Sequence, residues 1–223
     1  MSEYASSDAR DHVRFVFHAT PLRRLTLGLC RLVFKPLMQL QVSGLANVPR
    51  DGPFILASNH ISNFDVFAMQ LTLPRTIFFM GKAELFRFAP MGALLRDFGA
   101  FPVYRGEKDA WALLHARRVL EAGQVLGMFP EGHRSKGSGL GIAKTGSARL
   151  ALEAHAPILP MALVGTDHVL KSLHLRSRVA VSFLEPLQAQ WGENPESLTA
   201  RLMTTLAAAL PEQMRGAYAE PRA

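Results

Sequence analysis

The chain has 223 residues, 48% hydrophobic and 19% charged, enough apolar matter for a large buried core and too little charge for a disordered chain. Its single cysteine, Cys30, excludes an intramolecular disulfide, and its eight histidines lack the His-Glu-x-x-His spacing of a metal site. The formal net charge of +7 is spread along the sequence with few aromatics interleaved, which argues against nucleic acid and suits an anionic small substrate, an anionic membrane face, or plain solubility.

Residues 1–10 read as disordered, and residues 1–14 mix acidic, basic and polar side chains, unlike a signal peptide. Residues 21–35 read as a helix, with Pro21 at its first position and Pro36 at its end. At about 100° per residue, Leu22, Leu25, Leu29, Leu32 and Val33 share one face. Arg24, Arg31 and Lys35 lie opposite, and Leu27, Cys30 and Phe34 fall between. Such a helix suits a membrane interface; it equally suits packing on the domain with a solvated basic strip. Arg31 and Lys35 interrupt the apolar stretch, so no charge-free run is long enough to span a bilayer. The expected organisation is an N-terminal amphipathic helical segment, 1–36, peripheral to a membrane surface, followed by one domain, 37–223.

Strand-like runs then appear at 38–43, 54–58, 76–80, 100–103, 125–129, 158–164 and 179–184, and helix-like stretches at 64–72, 83–97, 107–121, 143–154 and 195–209. This alternation predicts an α/β fold with a largely parallel central sheet flanked by helices. Ligands of such sheets bind beyond the carboxyl ends of the strands.

Asn59-His60-Ile61-Ser62-Asn63-Phe64-Asp65 follows the buried run 54–58. On one helix, positions i and i+5 do not share a face, but a strand end, a turn and a helix start can bring His60 and Asp65 together. Ser62 reads as the helix N-cap. The pair has the composition of a general base with its orienting carboxylate; Asp65 also suits a helix N-terminus on dipole grounds alone. Residues 99–106 read as a strand ending at Arg105, a residue suited to phosphate. In Phe129-Pro130-Glu131-Gly132-His133-Arg134-Ser135, a strand stops at Pro130. Gly132 permits close backbone approach to a ligand. Glu131 and Arg134 form either a mutual salt bridge or a polar clamp, with Arg134 on a phosphate and Glu131 on a substrate hydroxyl or on the arginine. The glycine-rich stretch 135–145 matches neither the nucleotide P-loop nor the dinucleotide fingerprint, although Lys144 and the following helix can attract an anion. Residues 158–165, with Pro160, read as a buried strand supporting the site.

Taken in order, these four blocks resemble the glycerolipid acyltransferase family, typified by 1-acyl-sn-glycerol-3-phosphate acyltransferases. Asn59, His60 and Asp65 match its Asn-His-x-x-x-x-Asp, Gly99 and Arg105 its second block, and Pro160 its fourth. Residues 129–135 match Phe-Pro-Glu-Gly-Thr-Arg-Ser except that His133 replaces threonine. Gly81-Lys82-Ala83-Glu84-Leu85 resembles the segment leading into the second block, and the likeness covers roughly residues 40 to 190. The resemblance implies transfer of a fatty acyl group from acyl-CoA or acyl-carrier protein to the hydroxyl of a lysophospholipid. The acceptor it implies first is 1-acylglycerol-3-phosphate, giving phosphatidic acid; relatives acylate other lysolipids. It also implies a peripheral enzyme on the cytoplasmic side of the membrane, without cofactor, metal or nucleic acid. His60 is then the base and Asp65 its orienter, while Arg105, Glu131, Gly132 and Arg134 bind substrate. A lipid hydrolase would need Gly-x-Ser-x-Gly, which neither 137–139 nor 146–147 completes. A non-catalytic lipid-binding protein would not require His60, Asp65, Glu131 and Arg134 together.

Overall fold

Residues 54–58 are apolar without alternation because the strand they form is covered on both faces, and all five are buried. The computed structural model describes residues 10, 13–17, 21–104, 109–135, 137–171 and 176–219. Its elements run α1 (Pro21–Phe34), β1 (Met38–Ser43), β2 (Phe54–Ser58), α2 (Asp65–Thr72), β3 (Ile77–Lys82), α3 (Ala89–Asp97), β4 (Ala100–Val103), α4 (Ala110–Glu121), β5 (Val125–Met128), α5 (Gly146–Glu153), β6 (Ile158–Val164), β7 (Ser177–Phe183) and α6 (Pro195–Ala209). The seven strands form one sheet in the order β1-β7-β6-β2-β5-β3-β4. Every neighbouring pair is parallel except β6 with β7. The α/β architecture read from the alternating pattern is therefore the one observed.

Period-two alternation divides the core. Ile55 and Ala57 of β2 face the layer that holds Trp111, Ala116, Leu150 and Leu202 of α4, α5 and α6. Phe54 and Leu56 point to the other face, with Ala68 and Met69 of α2 and Phe183 of β7. On the first face His115 of α4 is 1% exposed and stacks on Trp111 at 4.7 Å. Burial, reinforced by the cations of Arg118 and Arg10, lowers its pKa to about 4 against an opposing hydrogen bond that the ring donates to the Arg14 backbone, so the ring is held uncharged.

Four expectations shift. The helix expected over 83–97 is broken: Ala83–Phe86 is a short 3-10 turn, Phe88 is extended, and Pro90 sits in the first turn of α3, where its missing N–H costs nothing. The helix expected from 143 begins at Gly146, because the Lys144 amide is drawn to Pro130 O at 2.9 Å. Residues 1–9 lie outside the described residues, but Arg10 is fixed by a two-pronged pair with Asp109, at 2.6 and 3.1 Å. Its guanidinium also lies 4.4 Å from the Trp111 ring centre.

The fourth shift concerns α1. Its domain side is the arc of Arg23 and Cys30, both buried, with Phe34 stacked on Phe67 at 3.9 Å. Leu25, Leu29, Leu32 and Val33, the face expected to be apolar, point outward at 48–72% exposure, flanked by exposed Arg24, Arg31 and Lys35. Leu85, Phe88, Met91 and Leu94, in the turn before α3 and in α3 itself, are exposed as well, and α1 packs beside α3. No helix among the described residues is long and apolar enough to cross a membrane.

Candidate active site

The chain leaves the sheet at Ser58. Asn59 is buried, and its amide extends the β2–β6 ladder by one rung, accepting from Leu163 N and donating to Leu163 O, both at 2.8 Å. The loop then turns so that His60 and Asp65 meet. His60 Nδ1 lies 2.7 Å from Asp65 Oδ2. The same oxygen accepts from the amides of Ile61 at 2.8 Å and Ser62 at 2.9 Å. The other oxygen accepts from the Thr166 hydroxyl. Asp65 is fully buried, and a carboxylate only accepts, so His60 Nδ1 is the donor of the pair, the tautomer that in a neutral ring leaves the lone pair on Nε2. Phe129 stacks on the imidazole at 3.9 Å and fixes the plane of the ring.

Ser62 does not cap α2. Phe64 occupies that position, and the Ser62 hydroxyl accepts from Phe64 N at 3.2 Å. Asp65 takes over instead: its carboxylate folds back onto the amides that precede the helix, so one side chain both closes the loop and aims the histidine.

The third block wraps the same loop. Glu131 is 1% exposed, and its two oxygens accept from the amides of His60 at 2.9 Å and Gly141 at 2.8 Å, not from Arg134. The Ser135 amide donates to His60 O at 2.8 Å. His60 is thus held at its side chain, its N–H and its carbonyl. Gly132 adopts φ 71°, the left-handed turn that glycine takes without strain. The side chain of His133, where the resembled pattern has threonine, donates from Nδ1 to Glu131 O at 2.8 Å and closes this turn. Arg134 is exposed and, among the described residues, pairs with no carboxylate. Arg105 lies outside the described residues.

A cavity of about 740 Å³ opens beside Asn59, Ile61, Ser62, Asn63 and Phe64, the neighbours of His60. Glu131 and Arg134 line it from the β5 side, and Asp167, His168, Lys171 and Arg178 from the β6–β7 side. Thr166, Phe129 and Gly141 were not among the residues picked from sequence. Thr166 and Phe129 share one legible signal, a position at the carboxyl end of a strand. Cys30 is buried, and burial pushes its thiol up, away from nucleophilic use. Among the described residues no group of three or more His, Cys, Asp or Glu is placed to hold a metal ion.

A parallel-dominated sheet with a histidine–carboxylate pair at its strand ends defines an α/β protein that carries polar chemistry where such sheets bind ligands. Residues 39–164 match the profile of the acyltransferase family, and the chain belongs to that family. The 1-acyl-sn-glycerol-3-phosphate acyltransferase of Bacillus subtilis is 29% identical over 167 residues, 74% of this chain and 82% of that one. The protein of the same name from Streptococcus pneumoniae is 34% identical over 140 residues, 62% of this chain but 51% of its own length. The crystal structure of the 1-acyl-sn-glycerophosphate acyltransferase of Thermotoga maritima matches with a TM-score of 0.69 at 22% identity, over 84% of this chain and 78% of that one, which shows a shared fold.

Proposed function

We propose that this acyltransferase moves a fatty acyl group from a thioester, acyl-CoA or acylated carrier protein, to the free hydroxyl of 1-acylglycerol-3-phosphate, giving phosphatidic acid. The observation that carries the reading is Asp65: buried, saturated with donors and 2.7 Å from His60 Nδ1, it leaves Nε2 as the one basic position of the pair. His60 Nε2 removes the proton from the acceptor hydroxyl, and the oxygen attacks the thioester carbonyl carbon. The tetrahedral adduct collapses, the C–S bond breaks, and the imidazolium returns the proton to the departing thiolate. No group on the protein is acylated. Arg134, with Arg105, binds the acceptor phosphate, and Glu131 and Gly132 shape the loop that presents it. Holding both substrates against His60 makes the attack effectively intramolecular.

The outward apolar faces of α1 and α3, edged by Arg24, Arg31 and Lys35, support peripheral attachment to an anionic bilayer, from which the lysolipid enters. His60→Ala is the decisive variant. Thiol release from acyl-CoA that depends on added lysophospholipid should fall by about 10²–10⁴-fold, with the fold intact. Near-normal turnover would end this mechanism.

A further inference from the structure

The sheet order places His60 between two groups of cations. Arg134 follows β5 on one side of β2, and Lys171, in the β6–β7 connection, and Arg178 of β7 lie on the other. Strands β5 and β7 are three spacings apart, about 14 Å. Transfer from a thioester to a phosphorylated acceptor brings together two substrates that each carry an anionic end, so a single anion site is too few.

Lys171 and Arg178 line one side of a cavity that Arg134 borders on the other. At about 740 Å³ the cavity is large for a lone phosphate and fits a nucleotide-sized ligand. Its cations Arg134, Lys171 and Arg178 outnumber its carboxylates Glu131 and Asp167. Glu131 is engaged by two backbone amides, Asp167 is shared at 3.8 Å by His168 and Lys171, and Arg178 pairs with no carboxylate among the described residues. The exposed apolar residues Leu85, Phe88, Met91 and Leu94 belong to elements packed on β3 and β4, towards the opposite edge of the sheet. A lipid approaching there leaves the β6–β7 side to a water-borne ligand.

Building on the acyl-transfer reading, we propose that this cavity holds the phosphorylated nucleotide end of a coenzyme A thioester. Lys171 and Arg178 take its phosphates, Arg178 by the paired donors of its guanidinium. Ile61 and Phe64, on the same wall, guide the pantetheine arm towards His60. Arg134 stays with the acceptor.

The test is calorimetric titration of the full chain with adenosine 3′,5′-bisphosphate, the nucleotide end of coenzyme A, beside steady-state kinetics. Lys171→Ala and Arg178→Ala should each weaken binding by about tenfold or more. Melting temperature should stay put, since both side chains are exposed. KM for acyl-CoA should rise in step, and KM for the lysophospholipid should hold. No binding to the wild type, or equal binding by the wild type and both variants, overturns the proposal. So does a rise confined to the KM for lysophospholipid, which would hand these cations to the acceptor, and so does a wild type that accepts only the carrier-protein thioester. Failure of the acyl-transfer reading shows separately, as bisphosphate binding without thiol release in the presence of any lysolipid.

Discussion

Asp65→Asn separates charge from shape. The amide has nearly the same outline, and its Oδ1 can take the place where Asp65 Oδ2 accepts from His60 Nδ1 and from the Ile61 and Ser62 amides. Its Nδ2 then meets the Thr166 hydroxyl, which can rotate to accept, so the loop keeps its form. What disappears is the negative charge beside the imidazolium that forms when His60 takes the proton. Two unit charges about 4 Å apart interact by about 4 kcal/mol at an effective dielectric near 20. At 1.36 kcal/mol per factor of ten, kcat should fall by about a thousandfold. KM for both substrates should change little, because Asp65 is fully buried. The assay is thiol release from a long-chain acyl-CoA with 1-acylglycerol-3-phosphate in excess, with thermal melting run in parallel. A variant that melts like the wild type and turns over within about tenfold of it would refute the stabilising role of the carboxylate.

Glu131→Gln should act on the fold of the site, since a glutamine amide must turn its NH2 towards either the His60 or the Gly141 amide. A loss of about 2–3 kcal/mol, or roughly 4–12 °C in melting temperature, is expected, and a variant melting with the wild type would contradict the staple described here. Stability should also depend on His115. Its folded pKa of about 4 lies below that of the unfolded chain, so the unfolded state binds more protons as pH falls. The contribution is whole above about pH 6.5 and is lost between there and about pH 4, on the order of 1–3 kcal/mol. His115→Phe should flatten that part of the stability curve, and an unchanged slope in urea melts would count against it. Leu29→Glu with Leu32→Glu, both on the exposed face of α1, should reduce sedimentation with anionic liposomes while sparing the fold. Undiminished sedimentation would reject the bilayer contact.

The strands were legible because their apolar runs are short, dense and punctuated: 38–43, 54–58, 100–103 and 158–164 coincide with β1, β2, β4 and β6. Helix starts were less so. At 62–65 and 143–146 the signals of a cap and an apolar run are overridden by other bonds, from the loop amides back to the Asp65 carboxylate and from the Lys144 amide to Pro130. The direction of α1 was beyond reach, because a periodic pattern identifies an apolar face without saying what it meets. The juxtaposition of His60 with Asp65 was readable from their spacing. The inward turn of Glu131 was not, since its partners are backbone amides, which every residue but proline offers and no sequence pattern distinguishes.

Asn59 behaves as a length of main chain. By offering one donor and one acceptor to Leu163, its amide counterfeits a further strand residue after the real backbone has already turned away. Aspartate could not donate, leucine could do neither, and glutamine would reach too far. The asparagine beside the histidine is therefore a tenon of the sheet: it lets the chain depart abruptly without leaving β6 unzipped, and so decides where in space the His60 imidazole hangs.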